Sequence, residues 1–309
     1  MNNPFLTKQF VLTRVDFDKC QNPRWKLACL KSEEILNFSP NFEEKLTIKI
    51  DLSQRFCIGW HNLETGEDFA CPDKIILEKK YIQCPKCQQR TGFNPAFYNV
   101  DSSEVSSQQQ IRNSQPHFVY LAYFSDEIIK VGISFSGRGI ARLLEQGARA
   151  ALILGEFSSA NIARSYEEKI SKMPNFCENV KASGKLKTLE RKFDFKIAEK
   201  KLFAAREKIE QIQKVSFEKN QPLNLDRFYM KDASFLPREV ILATDCAQSD
   251  NFLIFSGTLK AQIGYILLAE QQNEIIALPL RKFIGYKIKF LSENIELELP
   301  KRQTSLFDF

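Results

Sequence analysis

Residues 117–157 read HFVYLAYFSDEIIKVGISFSGRGIARLLEQGARAALILGEF, and the run continues through SSANIARSYEEKISKM to Met173. His117 to Phe124 and Ile128 to Ile133 are rich in aromatic and β-branched residues, with Ser125-Asp126-Glu127 as the turn between them, which predicts a hairpin. Ile140, Leu143, Leu144 and Gly147 fit a short amphipathic helix, and Ala150 to Phe157 a buried strand. Ser158 or Ser159 caps the next helix, with Glu167 and Glu168 mid-helix. The order is strand, turn, strand, loop, helix, strand, helix.

These residues, in this order, resemble the GIY-YIG nuclease superfamily. Val119-Tyr120-Leu121 stands where Gly-Ile-Tyr would be, and Lys130-Val131-Gly132 where Tyr-Ile-Gly would be. Arg142 lies close to the superfamily's catalytic arginine, and Glu167 matches its metal-binding glutamate. KVGIS, an arginine and then EQGARAA are also similar to a bacterial and archaeal family defined by a domain of unknown function, in which a cysteine cluster precedes this segment and a β-rich region follows it. The resemblance implies a small antiparallel sheet with helices and metal-dependent endonucleolytic cleavage of DNA in repair, replication or defence. Tyr120 would assist the nucleophile, Arg142 would bind the phosphate, and Glu167 would hold one Mg²⁺ or Mn²⁺. Such hydrolysis needs a positioned water and neutralisation of charge on the phosphoryl oxygens.

Two features leave alternatives open. Lys130 replaces the second motif's tyrosine; a lysine of lowered pKa serves as a base or phosphate donor, whereas a solvated one does neither. Glu168 competes with Glu167, since neighbouring helical side chains point about 100° apart. The alternative function is a catalytically inactive nucleic-acid-binding adaptor of the same fold.

Outside this stretch, the first 100 residues look β-rich, Leu46–Leu52 alternating with period two. They carry Cys57, Cys71, Cys84 and Cys87, the last two as a Cys-Pro-Lys-Cys knuckle suited to a structural zinc ion, with His61 as a substitute for Cys57. An intracellular chain rarely keeps disulfides, and no thioredoxin-like pattern surrounds the knuckle. DSSEVSSQQQIRNSQ, 101–115, reads as a polar linker. Leu189 to Lys214 reads as one long helix studded with lysine and arginine. Five short strands after Glu239 suggest a small barrel or sandwich, packed against the amino-terminal strands.

The chain ends KRQTSLFDF, which resembles sliding-clamp-binding peptides through Gln303, Leu306, Phe307 and Phe309. A net charge of +6 favours a polyanionic partner, mildly. No apolar run approaches ~20 residues and the amino terminus lacks a signal-peptide pattern, so no membrane partner and a cytoplasmic location are expected. The expected α+β protein thus has a zinc-stapled β-rich module (1–100), a linker (101–115), a GIY-YIG-like module with a long helix (116–215), a β-rich module (216–300) and a clamp-binding tail (301–309).

Overall fold

The computed structural model describes residues 5–6, 8–246 and 249–300. Strands β1 (Gln9–Phe17), β2 (Pro23–Cys29), β3 (Ile35–Phe38) and β4 (Lys45–Phe56) open the chain. Short strands β5 (Trp60–His61), β6 (Asp68–Phe69) and β7 (Ile76–Leu77) lead to helices α1 (Pro85–Thr91) and α2 (Ser107–Asn113). The central segment is β8 (His117–Ser125), β9 (Ile128–Phe135), α3 (Ala141–Gln146), β10 (Ala150–Phe157), α4 (Ala160–Ser171) and β11 (Phe176–Cys177). After α5 (Ala182–Leu189), α6 (Phe195–Gln213) and β12 (Leu223–Asn224) come β13 (Val240–Leu242), β14 (Phe252–Ile263), β15 (Ile266–Gln271), β16 (Glu274–Pro279) and β17 (Tyr286–Leu291).

The protein is a mixed α+β fold on two main sheets, with a four-cysteine cluster in its amino-terminal region. The larger sheet runs β13-β16-β15-β14-β4-β17-β1-β2-β3, with β7 paired to β4. Strands from both ends of the chain therefore share one sheet, rather than forming separate 1–100 and 216–300 modules. The central pairing is Ile48↔Phe255 and Ile48↔Phe290, all three side chains buried. Neither terminal set could bury these faces alone. The sheet curls far enough that the buried Trp25 indole on β2 donates to Gln262 Oε1 on β14 at 2.8 Å, four strands away.

The smaller sheet has the order β11-β9-β8-β10-β12. Every residue of β8 is buried, since both of its faces are covered. Val119, Leu121 and Tyr123 pack on one side with residues of α4 and α6, such as Ala163, Ile170 and Leu202. Phe118, Tyr120, Ala122 and Phe124 pack on the other with Leu143, Ile263, Leu268 and Ala277, toward the large sheet. Burying a large apolar side chain contributes roughly 1.5–3 kcal/mol, so this strand anchors both layers.

Two local expectations change. Residues 101–115 contain α2: Ser106 caps it and donates to Gly92 O (2.7 Å), while buried Gln109 bonds the backbone of Asn94 through both amide ends (2.7 and 2.8 Å). Polar side chains there satisfy neighbouring backbone instead of solvent. The helix expected from Leu189 to Lys214 is one helix but starts later, at Phe195, where Asp194 caps α6 through Lys196 N–H, and 182–189 ahead of it form the separate α5.

Candidate functional site

The candidate metal centre is built by three elements. Cys57 follows β4, Cys71 follows β6, Cys84 caps α1 and Cys87 lies in its first turn. The four sulfurs lie within 4.8 Å of one another and all four residues are buried, a set able to hold a metal ion. The Cys84 amide donates to Cys57 Sγ at 3.2 Å, the bond that stabilises a thiolate in a knuckle. Burial, with crowding by the neighbouring sulfurs, pushes the Cys57 and Cys87 thiols up, which a cation among them would reverse. His61 takes no part: its Nδ1 lies 2.8 Å from Asp68 Oδ1 and 3.0 Å from Arg14 Nη1.

Between this segment and the smaller sheet lies a cleft of about 570 Å³. Arg142 and Glu167 both line it. Tyr120 is buried behind them, with the Arg142 guanidinium acting on its hydroxyl. Its ring crosses Gly132, the directly paired residue on β9; a Cβ there would meet the hydroxyl oxygen at 2.5 Å. The glycine after Lys130-Val131 thus makes room for the tyrosine. Burial, only partly offset by Arg142, pushes the Tyr120 hydroxyl up to about 12, so it is a neutral phenol near pH 7.

Lys130 is buried, and its Nζ donates to Val131 O (3.1 Å) and Glu178 O (2.5 Å). Burial lowers its pKa, Glu167 opposes that and Arg142 reinforces it. It is therefore neither solvated nor free, but held by carbonyls beneath the cleft. The two glutamates separate cleanly. Glu167 is buried at the cleft with Oε2 2.5 Å from Arg164 Nη1, whereas Glu168 is exposed and pairs with Lys172 at 2.6 Å. The helical rotation between them settles which faces inward.

Sequence reasoning passed over the remaining charges. Arg138 and Arg142 share Glu145, a buried carboxylate, and Arg164 also reaches Glu178 at 3.4 Å. Arg112 stacks on Phe135 at 4.0 Å and donates to the Leu63 carbonyl. No carboxylate among the described residues pairs with it; burial, then Arg138, lowers its pKa. Arg14, His61 and His117 also line the cleft, and burial lowers the His117 pKa. Arg112 and Arg164 reach the cleft from segments distant in sequence from Arg138 and Arg142.

A family model described as protein of unknown function (DUF2797) matches residues 74–288, more than half of the chain. The chain belongs to this family. The DUF2797 match spans Cys84, Cys87 and the whole cleft-forming sheet. No curated protein and no solved structure matches the chain. Among the described residues no helix is long and apolar enough to cross a membrane. Gln303, Leu306, Phe307 and Phe309 lie outside the described residues.

Proposed function

We propose that the protein is a metal-dependent DNA endonuclease of GIY-YIG type, stapled by zinc at its four cysteines. The observation that carries the reading is that Arg142 and Glu167, from two different helices, line one arginine-rich cleft, with Tyr120 buried behind them. Four buried sulfurs suit zinc, whose structural sites are tetrahedral and thiolate-rich. Glu167 suits a harder ion less fully: it offers one carboxylate, Oε2 already faces Arg164, and no group of three or more metal-ligating side chains includes it among the described residues. Mg²⁺ or Mn²⁺ there would draw its other ligands from water and the phosphate itself. When bound, that ion supplies charge stabilisation to the phosphoryl oxygens.

The chain's own groups do the rest. Arg142 contacts a non-bridging phosphate oxygen. Tyr120, neutral and fixed across Gly132, lies behind the cleft lining and positions Arg142 rather than taking up the proton of the attacking water. Lys130, tied to two carbonyls, holds positive potential below the site and is not the base. Cleavage of branched, unpaired and duplex DNA with Mg²⁺ or Mn²⁺ tests the reading. Glu167→Ala is expected to abolish turnover with little loss of affinity, and Arg142→Ala to lower both, each checked by kinetics and equilibrium binding. Cleavage unchanged in Glu167→Ala would refute it.

A second reading, an inactive nucleic-acid-binding adaptor, is favoured by the same pairings: Arg164 occupies Glu167, and Glu145 occupies Arg142. Metal-independent binding without any cleavage would select it. In either case the tail Gln303–Phe309 is the proposed sliding-clamp ligand, with Leu306, Phe307 and Phe309 as anchors. Deleting it is expected to abolish clamp binding and leave intrinsic cleavage intact, as read by pull-down and turnover.

A further inference from the structure

The cleft has two unlike walls. The floor is the smaller sheet with α3 and α4, while the opposite wall comes from the cysteine-bearing segment, through Leu63, Phe93, Phe97, Tyr98 and Arg112. Phe93 is 55% exposed and Tyr98 39%, two of the four exposed aromatic rings among the described residues, the others being Phe69 and Tyr81, and both line the cationic cleft. Arg164 lies 4.4 Å from the Tyr98 ring, so guanidinium and aromatic surfaces already alternate there.

The cations form a sequence in space. Arg112 has Arg138 as its charged neighbour, Arg138 and Arg142 share Glu145, and Lys185 feels Arg142 and Arg281. Arg112 and Lys185 have no ion-pair partner among the described residues, and Glu145 is one carboxylate for two guanidiniums. Burial, then Lys130, Arg281 and Arg142, pulls the Lys185 ammonium down to about 8, and its one hydrogen bond is to the Gln146 carbonyl at 2.5 Å. An anion laid along this line would relieve repulsion that the protein leaves uncompensated.

We infer that the cleft takes an unpaired polynucleotide strand, its phosphates following Arg112, Arg138 and Arg142 within the cleft and continuing toward Lys185 beyond its lining, and its bases stacking on Phe93 and Tyr98. The inference rests on the nucleic-acid reading above and adds the substrate class and the role of the cysteine-bearing segment as half of the binding site. What selects an unpaired strand is that its bases expose π faces that a duplex hides, for Phe93 and Tyr98 to stack on.

The test is fluorescence anisotropy of full-length, zinc-loaded Glu167→Gln protein with labelled single-stranded DNA, single-stranded RNA and duplex DNA of one sequence over a salt series. An unpaired strand of either sugar is expected to bind about tenfold or more tighter than the duplex. Phe93→Leu, which keeps apolar bulk on an exposed site, should weaken unpaired-strand binding about tenfold and spare the duplex, and Phe93→Trp should retain it. Arg112→Gln should reduce the slope of log K against log salt by about 0.7. Tighter duplex binding, or a Phe93→Leu loss that is absent or equal on both substrates, would overturn the proposal. Because binding is measured without turnover, an inactive protein still tests it. Conversely, duplex cleavage with no preference for unpaired strands would remove this inference and leave the hydrolase reading standing.

Discussion

Gly132 and Tyr120 act as one unit at the residue scale. The tyrosine lies across the glycine on the paired strand, and its hydroxyl reaches Arg142 only because no Cβ intervenes. Gly132→Ala forces the ring or the strand to shift inside a sheet buried on both faces. We expect about 1–3 kcal/mol of destabilisation, measured by denaturant titration, with loss of any activity exceeding that of Tyr120→Phe. Tyr120→Phe keeps the packing and removes the hydroxyl alone. Equal activity in Gly132→Ala and wild type would show that the close approach has no functional weight.

At the scale of elements, the cysteine-bearing segment has little core of its own. Its strands β5, β6 and β7 are each two residues long, and its central cluster is the four cysteines with Trp60 and Leu77 against them. Metal binding is then folding free energy for this segment. Cys84→Ser removes a ligand together with the sulfur-capping arrangement at the start of α1. Bound zinc is expected to fall from one per chain to near zero, read by elemental analysis. The segment around Arg112 and Phe93 should become protease-sensitive while β8–β10 stay protected. One zinc retained by the variant would contradict this account.

The whole molecule is tied across its sequence by buried and half-buried carboxylates. Asp51 on β4 pairs with Lys287 on β17 at 2.8 Å, and Asp68 joins the cysteine-bearing segment to Arg14 and Lys26 of the large sheet. Burial alone would raise both carboxyls. Lys287 and Ser53 outweigh it to hold Asp51 at about 2, and His61, Arg14 and Lys26 hold Asp68 well below the usual range. A depressed folded pKa means stability that is present above the unfolded value near 3.9 and lost as pH falls through the folded value. Melting temperature should therefore drop steeply between about pH 4 and pH 2. Asp68→Asn should melt lower at neutral pH and lose less on acidification; an unchanged acid limb would refute the role of this network.

The sequence by itself determined the local units. The hairpin and strand of 117–157 were legible because a short turn and apolar runs fix neighbours without reference to the rest of the chain. The four cysteines were legible because a knuckle is a local ligand pair. Tertiary structure alone decided that strands from both ends share one sheet, since that depends on which faces remain to be buried once each end has folded. It also decided the place of the 101–115 segment, whose polar side chains bond a backbone that no composition reveals. The cleft is the clearest case. Arg112, Arg138, Arg142 and Arg164 come from separate elements, and only packing brings their charges together, because electrostatic proximity follows distance in space and not order along the chain.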